Sequence, residues 1–174
     1  MQRGSSARRG AIGKKARAIR LAIFDVDGVL TDGTLYIGAN GEAFKAFNIL
    51  DGQGMKMLQS AGVACAILSG RESAAVRRRA AELGIATVVE SASDKLAAFE
   101  KMLAGLGLDA LACAYVGDDL PDLAVMQRCG FAVAVANAVD AVKSAAHYVT
   151  RAAGGRGAVR EFCDLVIAAR EPRR

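Results

Sequence analysis

The apolar run that begins at Ile19 ends abruptly in Asp25-Val26-Asp27-Gly28, two carboxylates spaced i, i+2 at the end of a stretch fit for a buried strand. In extended backbone, residues i and i+2 point to the same face, so Asp25 and Asp27 project together from the end of a strand over 19–25. Two like charges crowded into one volume raise a pKa or destabilise the site unless a cation joins them, and a divalent cation is the simplest partner. Gly28 and Gly33 let the chain turn sharply just beyond the pair.

From residue 19 onward, short β-type runs alternate with helical ones. Strands are expected over 19–25, 63–68, 85–89, 112–116 and 131–135, with helices capped by Asp51 and Ser93 and a last helix after Gly157, where Val159, Phe162, Cys163, Val166 and Ile167 share a face. This alternation predicts an α/β fold, a doubly wound and mainly parallel sheet with helices on both faces. One segment breaks it. Residues 34–47 carry Asn40-Gly41 between two β-prone runs, which predicts an inserted hairpin directly after the acidic motif, on the side where open α/β sheets hold ligands.

Composition limits the function classes. With 174 residues, 53% of them hydrophobic, one core suffices without disulfides or structural metal. Cys65, Cys113, Cys129 and Cys163 are scattered without C-x-x-C spacing, and read as small core residues in a reducing compartment. The net charge of +5 is concentrated at the start, where Arg3, Arg8, Arg9, Lys14, Lys15, Arg17 and Arg20 stand without an acid. Setting those seven aside from the 23 leaves 16 basic against 18 acidic residues, so no basic face calls for nucleic acid. The start also lacks an apolar signal core and no membrane span is expected, so residues 1–18 read as a disordered basic extension ahead of a domain over 19–174 in a cytoplasmic protein. His147, the sole histidine, carries no expected catalytic duty.

Further polar groups fall at the carboxyl ends of the expected strands: Ser69-Gly70-Arg71, Asp94-Lys95, and Gly117-Asp118-Asp119-Leu120-Pro121-Asp122. For a phosphate ester each has a use. Asp25 can attack phosphorus once a cation screens it, and Asp25 with Asp118 supplies the hard oxygens that Mg²⁺ prefers. Asp27 can protonate the leaving oxygen and later activate water, while Ser69 and Lys95 hold phosphoryl oxygens.

DxDG, the hydroxyl of S-G-R, Asp-Lys and G-D-D-x-x-D, in this order, resemble the haloacid dehalogenase superfamily of phosphatases. DVDGVLTDG, NGEAFKAFN, DGQGM, LSGR, YVGDDLPDL, AVAVANA and RAAGGRGAVREFCDL narrow the resemblance to the 3-deoxy-D-manno-octulosonate 8-phosphate phosphatases, over about residues 19–169. The resemblance implies hydrolysis of that phosphosugar acid through an aspartyl-phosphate, in lipopolysaccharide precursor biosynthesis. It places metal ligands on Asp25, the Asp27 carbonyl and Asp118, with Asp119 and Asp122 orienting them. Substrate contacts fall on Asn48, Ile49, Leu50, Asp51, Gly52, Lys56, Arg71 and Arg79. The segment 90–93, opening with Glu90, departs from the neutral, glycine-containing segment usual in that family.

The intervals between motifs leave no room for a cap domain, yet a phosphatase must exclude bulk water. The resemblance implies a homotetramer in which hairpins assemble and a neighbour's C-terminal segment, here 154–157 with Arg156, reaches the active site. Competing readings are a phosphatase for a nine-carbon sugar acid 9-phosphate or another small ester, and a non-catalytic phospho-acceptor or oligomerisation module.

Overall fold

The structure, a computed structural model, describes residues 2–171, with side chains described from residue 10 onward. In chain order the elements are α1 (Gln2–Ala18), β1 (Leu21–Phe24), β2 (Tyr36–Gly38), β3 (Gly41–Phe44), α2 (Ile49–Ser60), β4 (Ala64–Leu68), α3 (Ala74–Glu82) and β5 (Thr87–Val89). They continue with α4 (Lys95–Leu106), β6 (Cys113–Gly117), α5 (Leu123–Arg128), β7 (Phe131–Ala134), α6 (Asp140–Ala145), β8 (Tyr148–Val149) and α7 (Ala158–Arg170).

Six strands form a parallel sheet in the order β5-β4-β1-β6-β7-β8. The central strands β1, β6 and β7 are buried along their whole length, which is why they read as unbroken apolar runs rather than alternating ones. Connections leave β1 toward β4 on one side and later toward β6 on the other. The carboxyl end of β1 is therefore the point where strand order reverses, the place where open α/β sheets form a ligand crevice. The expected hairpin forms as an antiparallel two-stranded sheet, β2 with β3, closed by Ala39-Asn40 and supported by stacking of Tyr36 on Phe44 with ring centroids 4.3 Å apart. All four cysteines are free and buried.

The basic start corrects one expectation. Residues expected as a disordered extension form α1, which packs along α7. Ile12, Ala16 and Ile19, at i, i+4 and i+7, turn toward the core, with Ala16 and Ile19 fully buried. The Arg170 guanidinium donates to the carbonyls of Arg17 and Ile19 at 3.2 and 2.9 Å, supplying partners at the end of α1. The charge of this segment masked its apolar stripe.

Two helix starts also move. Asn48, not Asp51, caps α2, accepting from the Leu50 amide at 2.8 Å, and Asp94 rather than Ser93 caps α4. Asp51 serves a different helix. Only 1% exposed, its carboxylate accepts the amide of Arg160 at 2.8 Å and that of Gly157 at 3.4 Å. Gly157 precedes α7 and has no side chain to cap it, so Asp51 on α2 satisfies that helix start across the α2–α7 interface.

Because that cap is buried and remote in sequence, Asp51→Ala is expected to lower the free energy of unfolding by about 1–3 kcal/mol. Urea denaturation measures this, and an unchanged midpoint would show that the cap contributes nothing.

Candidate active site

Every motif at a strand end folds into one crevice of about 410 Å³, lined among others by Asp25, Asp27, Ser69, Arg71, Lys95 and Asp118. Asp25 directly follows β1, and the chain then makes an irregular turn, Val26–Leu30, in which Gly28 adopts φ +88°. A side chain at Gly28 would collide with the Asp118 carboxylate, so glycine there lets the β1 loop lie directly against the β6 loop. Thr31 closes the turn, its hydroxyl accepting from the amides of Gly28 and Gly33 at 3.3 and 3.2 Å.

Lys95 opens α4 and places its ammonium 2.9 Å from Asp25 Oδ1 and 2.7 Å from Asp122 Oδ1. Asp122, fully buried, also accepts from the Tyr115 hydroxyl at 2.7 Å, and its Oδ2 accepts the amides of Asp118 and Asp119 at 2.9 and 3.1 Å. Its Oδ2 thus shapes the loop that carries Asp118, while Oδ1 answers Lys95 and Tyr115. Asp119 is exposed and accepts from the Leu120 amide at 2.8 Å, capping the short turn Leu120–Asp122.

Asp25, Asp118 and Asp122 bring carboxylate oxygens within 4.8 Å of one another. Burial pushes the Asp25 carboxyl up to about 6, helped by the charge of Asp122 and opposed by Lys95. Burial together with Asp25 and Asp122 pushes Asp118 higher, to about 8. Asp118 Oδ1 is buried and lacks a hydrogen-bond partner among the described residues. A buried, unsatisfied carboxylate oxygen beside a second acid is a costly arrangement that a hard divalent cation resolves, so the donor set fits Mg²⁺.

Ser69, at the end of β4, is 2% exposed and its hydroxyl accepts from the Arg71 amide at 3.2 Å. Arg71 Nε lies 3.7 Å from Asp27 Oδ2. Asp27 Oδ1 accepts from Lys45 Nζ, a residue of the hairpin that sequence reasoning missed. Lys45 also lies 3.1 Å from Glu42, whose other oxygen accepts from the Ser73 hydroxyl at the start of α3. Glu90, the departure noted above, holds the same helix start by accepting the Ser73 amide at 2.8 Å and the Arg77 guanidinium at 2.7 Å.

The remaining substrate-contact residues expected from sequence are not gathered here. Asn48, Asp51, Gly52 and Arg79 surround a void of about 10 Å³ beneath the first turn of α2, room for about one water and no sugar acid. Arg79 packs on Gly52 and pairs with Glu82 at 3.2 Å. Ile49 and Leu50 are exposed, and so is Lys56 further along α2. Arg156 pairs with Asp32 at 3.3 Å in the same chain, and residues 154–157 pack on the β1 loop rather than standing free. A Cβ at Gly154 would run into the Gly28 carbonyl, and Asn137 ties the two segments by donating to that carbonyl at 3.1 Å and accepting the Gly154 amide at 2.7 Å. Asn137 and Tyr115 were also missed. The only signal was a polar atom inside an apolar run, which must find a partner once buried. His147 accepts the Ala132 amide at 2.9 Å beside β7, outside the crevice.

Comparison with known proteins agrees with this geometry. Residues 84–162 match the haloacid dehalogenase-like hydrolase family. The chain is 50% identical over 155 residues to the 3-deoxy-D-manno-octulosonate 8-phosphate phosphatase KdsC of Escherichia coli strain K12, covering 89% of this chain and 82% of that one. It superposes on the phosphatase of the same name from Yersinia pestis with a TM-score of 0.89 at 46% identity, over 92% of this chain and 86% of that one. The Moraxella catarrhalis phosphatase, whose structure holds a magnesium ion, a phosphate ion and a KDO molecule, gives a TM-score of 0.88 at 42% identity, over 91% of each chain. With the acidic crevice and its lysine at the β1 switch point and half of the aligned residues shared, the chain belongs to the 3-deoxy-D-manno-octulosonate 8-phosphate phosphatases of the haloacid dehalogenase-like hydrolases.

Proposed function

We propose that this chain hydrolyses 3-deoxy-D-manno-octulosonate 8-phosphate to the free sugar acid and phosphate, through an aspartyl-phosphate on Asp25. The observation that carries the reading is the buried cluster of Asp25, Asp118 and Lys95 with its unsatisfied Asp118 oxygen, in a family of phosphatases for this ester.

Asp25 attacks phosphorus with a carboxylate oxygen. A bond forms between that oxygen and phosphorus while the bond from phosphorus to the sugar oxygen breaks, and the carboxyl of Asp27 gives its proton to that leaving oxygen. Water then attacks the aspartyl-phosphate, Asp27 takes the water's proton, and the Asp25 carboxylate is restored as phosphate leaves. Lys95 and Ser69 hold phosphoryl oxygens during both transfers. Asp25, the Asp27 carbonyl and Asp118 would hold Mg²⁺, which when bound would supply positive charge to keep Asp25 and Asp118 ionised and to screen the phosphate from its nucleophile. Asp122 and Asp119 keep the loop carrying Asp118 in place. Arg71, half exposed at the rim, is suited to the carboxylate of the sugar acid.

The chain works as a homotetramer in the cytoplasm. The hairpin is a lone two-stranded sheet with Ile37 and Phe44 63% and 55% exposed, and the neighbouring Ile49 and Leu50 are 78% and 55% exposed. Such a hairpin is marginal by itself in water and gains from burying that surface against copies. Free buried cysteines, and the absence of a helix long and apolar enough to cross a membrane among the described residues, are compatible with that location.

Asp25→Asn is expected to cut phosphate release by at least about a thousandfold while the circular dichroism spectrum stays unchanged. Retained activity removes the mechanism, and equal turnover across a panel of phosphosugars with Mg²⁺ present removes the substrate. Stability gives an independent check. Asp25 and Asp118 hold their protons to about 6 and about 8, above the unfolded value, so the metal-free protein loses stability as pH rises through those values. Mg²⁺ at a hundredfold excess over its dissociation constant should add about 3 kcal/mol, with an increment that grows between about pH 5 and 8. EDTA should remove that increment and Asp118→Asn abolish it; a pH-independent Tm unaffected by Mg²⁺ contradicts the metal assignment. Sedimentation velocity should give a tetramer that Ile37→Glu with Phe44→Glu dissociates, whereas a fully active monomer refutes the assembly.

A further inference from the structure

Among the described residues, the hydrogen bonds at the crevice are unevenly shared. Asp25 is held by Lys95, and the Asp118 loop by Asp122 Oδ2, which accepts two of its amides. The Asp27 carboxylate receives one hydrogen bond, from Lys45, which reaches it from 18 residues away in sequence. That lysine is expensive to place there. Its side chain is 3% exposed although β3 beside it is mostly exposed, and a buried ammonium costs several kcal/mol unless its partners repay it. The partners are Asp27 Oδ1 and Glu42 Oε2. Glu42 is itself fixed through the Ser73 hydroxyl to the start of α3, where Glu90 accepts the Ser73 amide. The chain Asp27-Lys45-Glu42-Ser73-Glu90 thus runs from the crevice, through the hairpin, to the body of the domain.

From this arrangement we infer that Lys45 is a positioning residue for the proton-transfer carboxylate, acting through Asp27 and not on the phosphate. Occupying Oδ1, Lys45 fixes the plane of the carboxylate and leaves Oδ2 turned to the side of Arg71, at the crevice wall. With Lys45 removed, no hydrogen bond among the described residues holds the Asp27 side chain, which is 24% exposed and free to rotate toward water. Proton transfer depends on hydrogen-bond reach to the leaving oxygen, so a mispositioned acid harms the transfers that need a proton and spares those that do not. The hairpin therefore supplies part of the catalytic geometry as well as exposed apolar surface. The inference rests on the reading of Asp27 as the acid.

The test compares two leaving groups in the first turnover, measured on the intact enzyme with Mg²⁺. A phosphosugar leaves as an alkoxide and needs Asp27, whereas p-nitrophenyl phosphate leaves as a stable phenolate and does not. In Lys45→Met the first-turnover rate should fall by about tenfold or more for the phosphosugar and by less than about threefold for the aryl ester, with KM little changed, and Lys45→Arg should recover most of the loss. Lys45→Gln provides a second neutral variant should the methionine disturb folding, as judged by circular dichroism. Equal losses on both esters, or no loss on either, overturn the inference, because a lysine that merely supports the hairpin has no means of telling leaving groups apart. Asp27→Asn is the reference. If it shows the leaving-group difference and Lys45→Met does not, the positioning role alone falls; if it shows none, the assignment of Asp27 falls and takes the inference with it.

Discussion

The bond between Lys95 and the carboxylates of Asp25 and Asp122 is the constraint around which this chain is arranged. Three acids with oxygens inside 4.8 Å, two of them buried, would repel one another strongly, and Lys95 is the ammonium that reaches two of them. It is not enough to ionise them all. Asp118 keeps a raised pKa and an unsatisfied oxygen, the residual imbalance that a divalent cation completes. The sheet topology makes this crowding possible. Placing β1 between β4 and β6 opens the crevice, and the loops after β1 and β6 deliver acids to it from segments 93 residues apart.

Holding those loops in register takes contacts that have no chemistry of their own. Gly28 admits the Asp118 carboxylate, Gly154 admits the Gly28 carbonyl, and Asn137 bridges the two strands of chain with one donor and one acceptor. Asp51 caps α7 from α2, which fixes the C-terminal helix behind the same loop. Seen this way, the glycine-rich stretch before α7 is a place of close backbone approach within one chain. Its Arg156 is engaged with Asp32 at the surface, 72% exposed.

The hairpin joins two demands that are usually met separately. It exposes apolar side chains on one side, and on the other it buries an ammonium against the Asp27 carboxylate. A strand pair too small to be stable alone is thereby tied to the domain through Lys45, Glu42 and Ser73. Glu90, which departs from the neutral segment of the family, stands at the end of this chain of contacts and is occupied by Ser73 and Arg77 rather than by the phosphate side of the crevice.

The residues that do chemistry at strand ends were legible beforehand, because apolar runs closing in Asp25, Ser69 and Asp118 announce both the parallel sheet and the rim where its ligands bind. The apolar run that closes in an acid is a local fact and survives any tertiary arrangement, but the expected crowding of Asp25 with Asp27 does not. The crowded carboxylates are Asp25, Asp118 and Asp122, and Asp27, in the turn after β1, faces Lys45 and Arg71. What stayed hidden depends on partners far away in sequence. Asp51 looked like the cap of its own helix and became the cap of another, since the α2–α7 packing decides which amides lack a donor's partner. Residues 2–18 looked like solvated charge, and only α7 gave the stripe of Ile12, Ala16 and Ile19 something to cover. Lys45 was one polar side chain in a hairpin; which face it takes, and that it meets Asp27 there, follows from the hairpin's docking and not from its pattern. The sequence by itself determined the sheet and the acids at its switch point, while the tertiary structure decided which lysine answers each acid, because an ion pair is defined by distance in space and burial, and neither is encoded within a single segment.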